Sequence, residues 1–134
     1  MRVVFDTNVL VAAFLTEGVC STLLVRARRG ECELILSTDI IREFEQILRR
    51  KFLLSQSEIS QVRKVLAEAT KEVCRKVNPI TPVCRDPDDD KILACAQQVH
   101  ADYIVTGDQD LLVLKRYAAI PIVTPRDFES FFTE

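Results

Sequence analysis

Glycine is scarce in this chain, with three among 134 residues, and histidine appears once, as His100. So little glycine leaves no low-complexity tract or flexible linker, and no repeat is visible. The five cysteines (Cys20, Cys32, Cys74, Cys84, Cys95) are odd in number, widely spaced and lack a C-x-x-C pair. That pattern excludes a structural zinc site and a disulfide framework, and it suits reduced core cysteines in a cytoplasmic protein. No apolar run is long enough to cross a bilayer, and Asp6 interrupts the N-terminal apolar stretch too early for a signal peptide. A net charge of −2 removes any overall basic footprint for nucleic acid, although a local basic rim is compatible with it.

What remains is the composition of an ordinary globular domain, 48% hydrophobic and 28% charged. Residues 1–134 are expected to form one domain. Val3-Val4-Phe5, Leu34-Ile35-Leu36, Tyr103-Ile104-Val105 and Ile120-Pro121-Ile122-Val123 read as short buried strands, the last an edge strand because of Pro121. Helical patterns cover about 21–29, 39–52, 57–73 and 88–100. Ser55 with Glu58, and Thr124-Pro125 with Asp127, read as capped helix starts. Alternation of strand and helix predicts an α/β fold with a central, mostly parallel sheet of about five strands flanked by helices.

Aspartates follow two of these strands, Asp6 after Phe5 and Asp108 after Thr106-Gly107. Open α/β sheets bind ligands beyond the carboxyl ends of their strands, although aspartate is also a favoured helix N-cap. The stretch Asp86-Pro87-Asp88-Asp89-Asp90 then leads into an apolar helix. At roughly 100° per residue, Asp89 falls on the face of Ile92, Leu93 and Ala96, Asp88 lies near its edge and Asp90 points away. Asp86 before Pro87 reads as the N-cap. In the helix near position 40, Glu43 and Glu45 flank the apolar face on opposite sides, and periodicity does not choose between them.

Several inward acids need a counter-charge, because two carboxylates about 4 Å apart repel by roughly 4 kcal/mol at an effective dielectric near 20. Lys91 turns away from the Asp89 face and His100 sits at the far end of its helix, so an oxygen-only cluster points to Mg²⁺ or Mn²⁺. Such a site suits metal-assisted phosphodiester or phosphate chemistry. Arg28, Arg29, Arg49 and Arg50 are the basic residues expected to help hold a phosphate backbone, within runs that also suit helix C-termini. Asp110 is a weaker candidate for the cluster, reading equally as a surface or capping acid. The stripes Val9 to Leu15 and Phe128 to Phe132 read first as core, and second as a dimer or partner groove.

The order Val4-Phe5-Asp6-Thr7-Asn8, Glu43, Asp86-Pro87-Asp88-Asp89-Asp90-Lys91-Ile92-Leu93-Ala94-Cys95-Ala96 and Thr106-Gly107-Asp108 resembles the PIN-domain family across the whole chain. It is closest to the branch of VapC-related toxins from toxin–antitoxin pairs. That resemblance implies a Mg²⁺- or Mn²⁺-dependent ribonuclease with Asp6, Glu43, Asp89 and Asp108 as catalytic, metal-holding acids. Asn8, Thr106 and Asp90 match supporting positions, the last often asparagine in the family. It further implies an RNA substrate, a protein antitoxin and a homodimer or higher homo-oligomer. The competing readings are a catalytically silent RNA-binding or interaction module and a phospho-acceptor receiver. The receiver would need a lysine just after a late strand, and Thr124-Pro125 supplies none.

Overall fold

The computed structural model describes residues 1–132. Strands β1 (Arg2–Phe5), β2 (Glu33–Ser37), β3 (Thr70–Cys74), β4 (Tyr103–Val105), β5 (Arg116–Tyr117) and β6 (Ile120–Val123) form one sheet in the order β3-β2-β1-β4-β6-β5. All pairings are parallel except β5 with β6. Val3, Val4, Phe5, Leu34, Ile35, Leu36, Ile104 and Val105 are fully buried, as runs of β-formers covered on both faces should be. The helices are α1 (Thr7–Leu15), α2 (Val19–Arg28), α3 (Thr38–Arg50), α4 (Gln56–Ala69), α5 (Pro87–Gln98), α6 (Gln109–Leu112) and α7 (Pro125–Ser130). The chain builds outward from β1 to β2 and β3, then returns to lay β4 on the other side of β1. The strand order therefore reverses between β1 and β4, and the crevice at such a switch point is where these folds bind ligands.

Two expectations are corrected. The helix expected over 57–73 stops at Ala69, and Thr70–Cys74 becomes β3 beside β2. Thr70 adopts an extended backbone while its hydroxyl donates to the Leu66 carbonyl at 2.6 Å, which closes the helix end. Pro121 does sit on the last parallel strand, but β5 pairs with that strand and caps its edge. The capped starts behave as expected: Ser55 and Glu58 form a reciprocal capping box, and Thr124 accepts from the Asp127 amide.

Because glycine is scarce, other residues make the left-handed turns. Leu53, His100, Lys115, Ala118 and Ala119 all have positive φ. At the end of α5, the Ala101 amide donates to the Ala96 carbonyl at 3.0 Å and the His100 amide to Gln97 at 3.2 Å. That is a Schellman-type termination, so the sole histidine is a helix stop. Ala118 and Ala119 turn the β5–β6 hairpin at φ 48° and 66°, a conformation that asparagine and glycine adopt more easily. Ala119→Gly is expected to raise stability by about 1 kcal/mol in urea unfolding.

The aromatic stripe near the C-terminus is core. Phe128 is fully buried, with Phe5, Tyr103, Phe131 and Phe132 rings 5.4 to 6.4 Å from its centroid. Arg26 fastens this corner through a two-pronged bond to Glu129, both contacts 2.6 Å, and by lying 4.5 Å over the Phe132 ring. Among the described residues no single helix is long and apolar enough to cross a membrane; α1 and α2 reach the length only together, and they are bent by 96°.

Candidate metal centre

The first acid is placed by the backbone. Asp6 directly follows β1, and its amide donates to the Val105 carbonyl at the end of β4 at 2.9 Å. The side chain is thereby pinned over the switch point, 6% exposed. The Thr106 hydroxyl, itself fully buried, donates to Asp6 Oδ2 at 2.7 Å and accepts from the Asp108 amide at 3.0 Å. One hydroxyl thus ties the acids of two strands together. Thr106→Val strands a buried carboxylate oxygen and a backbone amide, an expected loss of about 1–3 kcal/mol in urea unfolding that Thr106→Ser should largely avoid.

Asp89 enters from α5, whose apolar face seats Ile92, Leu93 and Ala96 in the core and so carries this carboxylate inward. Asp86 caps the helix, accepting from the Asp88 amide at 2.9 Å, with Pro87 at the first helical position. Asp89 is buried, as the helical projection requires. Its carboxyl is pushed up to about 7, by loss of solvent first and then by Asp108, Asp6 and Asp86, with a proton shared toward Asp108. Burial likewise raises Asp6, offset by the Thr106 hydroxyl and the Thr7 and Asn8 amides. The exposed Asn8 side chain is absent from that set; its contribution is through the backbone.

Glu43 and Glu45 are now distinguished. Glu45 is turned to α4, where Arg63 grips it at 2.9 and 2.6 Å, and its carboxyl is lowered by that pair. Glu43 is raised, chiefly by burial and then by Asp88, with Asp6 and Asp86 adding to it. It lines a small cleft with Thr7, Asp39, Ile40, Asp88, Lys91 and Ile92. Asp6 and Asp86 each repel both Asp89 and Glu43, so the acids act on one another across the cleft.

Asp110, the weaker candidate, joins Asp89 and Asp108. Single carboxylate oxygens of Asp89, Asp108 and Asp110 lie within 4.8 Å of one another. Asp108 caps α6 by accepting from the Asp110 amide at 2.9 Å, and that tight turn swings the second acid alongside the first. Both readings of Asp108 hold together, since capping occupies one oxygen and leaves the other. The spacing of two acids two residues apart at a helix start was the available signal.

Asp90 does something different from supporting the acids. Its Oδ1 accepts from the Val83 and Cys84 amides at 3.1 and 2.9 Å, anchoring the segment that leads into α5. Cys84 lies close enough that burial, then Asp90, Asp89 and Asp108, push its thiol up to about 12. It stays protonated near neutrality, so the donors remain oxygens.

The structure does not bring Arg28, Arg29, Arg49 and Arg50 to the acids. Arg28 and Arg29 end α2, which feeds the start of β2, and Arg49 and Arg50 end α3, which runs back from the strand ends. All four lie toward the opposite end of the strands, and Arg28 is engaged with Glu68 at 3.0 Å. The basic groups at the acids are Arg85, 2.7 Å from Asp110, and Lys91, 3.5 Å from Asp88.

The donor set fits a hard divalent cation: several carboxylates, no histidine, no thiolate, and raised acids that a cation would relieve. A family profile described as PIN domain matches residues 2–110, a span holding Asp6, Glu43, Asp89, Asp108 and Asp110. No curated protein matches the chain.

Proposed function

The chain belongs to the PIN-domain family, and we propose that it is a Mg²⁺- or Mn²⁺-dependent endoribonuclease acting as the toxin of a type II toxin–antitoxin pair. PIN domains are generally nucleases that use divalent metals. The observation that carries the reading is the cluster of Asp89, Asp108 and Asp110 oxygens beside the switch point, tied to Asp6 through Thr106, with Glu43 under the repulsion of Asp6. Asp6, Glu43, Asp89 and Asp108 would hold the cation, with Asp110 beside them. The cation would supply charge neutralisation at the scissile phosphate and activation of the attacking water.

The chain's own residues perform the rest. Thr106 fixes the Asp6 carboxylate and the start of the Asp108 turn, so neither acid must be ordered when substrate arrives. Asp89, raised to about 7, is partly protonated near neutrality and would give up that proton in holding a cation. Arg85 and Lys91 offer positive charge at the rim to phosphates entering an otherwise negative cleft. Water adds to phosphorus, the P–O bond to the leaving ribose oxygen breaks, and that oxygen gains a proton.

A toxin of this kind acts in the cytoplasm on cellular RNA, pairs with an antitoxin protein and forms a homodimer or larger homo-oligomer. The test is cleavage of a defined RNA by the metal-stripped protein resupplied with Mg²⁺, Mn²⁺ or neither, alongside acetyl phosphate as a phosphoryl donor. Cleavage only with metal, and no phosphorylated protein, is expected. RNA binding with no cleavage under either metal would leave the silent module standing, and a stable phosphoprotein would favour the receiver.

A further inference from the structure

Beside the acids lies a groove that the nuclease chemistry leaves unused. Residues 75–84 leave β3 and run as a strap alongside α5, which they reach at Pro87. Gln98 ties one end of the strap, accepting from the Asn78 amide at 2.7 Å and donating to the Lys76 carbonyl at 2.6 Å. Asp90 ties the other end through the Val83 and Cys84 amides. Between the ties, the strap stands off α5 and leaves a groove of about 310 Å³, walled by Val77, Pro79, Ile80, Pro82 and Ala94. Asp39 and Lys91 line this groove and also the cleft that contains Glu43 and Asp88, so the two hollows share a wall.

We propose that this groove is a nucleobase subsite, taking the base of a nucleotide next to the one whose phosphate faces the acids. The proposal rests on the ribonuclease reading of the acidic cluster. An apolar slot with a few polar groups at its mouth is the general form of a small flat-ligand site, and its volume sits at the lower end of that range. Because Asp39 and Lys91 border both hollows, a chain whose phosphate lies at the mouth of the cleft runs directly beside the groove. The basic Lys91 on the shared wall complements that phosphate, and Asp39 offers an acceptor to a base edge. The strap is a poor edge for an added peptide strand. Pro79 and Pro82 have no amide to donate, and those of Asn78, Val83 and Cys84 are already used. Tied at both ends, the slot also needs little ordering when it is filled.

The test is a short RNA of defined sequence, compared with versions carrying one abasic nucleotide at successive positions around the cleavage point. Each is measured for cleavage with Mn²⁺ and for binding in EDTA by fluorescence anisotropy. Wild type is expected to lose about tenfold in KM and in binding at one abasic position, on the scale of a single base stacking contact. Ile80→Glu, which places a charge in the apolar wall, should show the same loss on the intact RNA and no further loss on the abasic one. Thermal unfolding verifies that the variant is folded, and the wild-type abasic scan stands without it. A flat scan with cleavage intact overturns the subsite and spares the nuclease. Base-dependent binding lost in Ile80→Glu, with no cleavage by wild type, keeps the subsite and overturns the nuclease. RNA binding unchanged by Ile80→Glu overturns the assignment and leaves the groove to a protein segment.

Discussion

Asp89→Asn is expected to lower metal-dependent RNA cleavage by about 10²–10⁴-fold, whereas Asp90→Asn should remain close to wild type. The two residues are neighbours on one helix with the same charge, so any general electrostatic effect would touch both. Asp89 is 8% exposed and lies within 4.8 Å of Asp108 and Asp110, oxygen to oxygen. Its amide analogue keeps the shape and loses the charge that would hold a cation. Asp90 uses Oδ1 to accept from two strap amides, and asparagine retains that acceptor. Asp90→Ala should behave differently, because it releases the strap. Steady-state kinetics on one RNA with Mn²⁺, for all three variants, distinguishes these outcomes. Equal loss in Asp89→Asn and Asp90→Asn would sink the inward placement of Asp89 as the reason for its role.

The second large effect is on stability. Asp89 has a folded pKa of about 7, well above the roughly 3.9 of an unfolded aspartate. Between those values the folded protein binds a proton that the unfolded chain does not, so stability falls as pH rises through this window. Asp6 and Glu43 are raised as well and act in the same direction. Groups with lowered values, such as Glu45, act oppositely, but only below the ordinary carboxylate range. From pH 5 to 8 the metal-free protein should therefore lose stability, by about 2 kcal/mol after discounting for solvent at the mouth of the cluster. Asp89→Asn should be the more stable protein at pH 8 and show a flatter profile. With Mn²⁺ the trend reverses, because a cation replaces the proton and binds more tightly as pH rises. A concentration a hundred times the dissociation constant adds about 2.7 kcal/mol. Thermal unfolding in EDTA and in Mn²⁺ across this range reads both slopes. A metal-free profile that rises with pH and is unchanged in Asp89→Asn would contradict the account of a proton held in the cluster.

How much of this was legible in the sequence depends on which interaction places each residue. Asp89 was readable because a single helix period relates it to Ile92, Leu93 and Ala96, which must be inside. Asp6 and Asp108 were readable because they follow short β-forming runs that must be buried, once alternation with helices makes the strands parallel. Glu43 and Glu45 were equivalent by periodicity on their own helix; the family resemblance pointed to Glu43, and in the structure Arg63, arriving on a different helix, takes Glu45. Asp110 stayed a weaker candidate because its approach to Asp89 depends on a turn cap and on two elements meeting in space. β3 carries an intermediate-exposed-exposed-exposed-intermediate pattern, so it has no period of two to betray it after a long helical stretch. The arginine runs were located correctly at helix ends. Which end of the strands those helix ends occupy is a property of the parallel topology, and it puts them opposite the acids.

The central claim is that the carboxylates at the switch point hold the cation that cleavage requires. The most direct test titrates metal-stripped protein with Mn²⁺, following bound ion by electron paramagnetic resonance and RNA cleavage on the same samples. Cleavage should rise in proportion to occupancy, and Asp89→Asn should lose both together while its unfolding curve shows a folded protein. Cleavage that persists without bound metal, or full occupancy in Asp89→Asn, would contradict it.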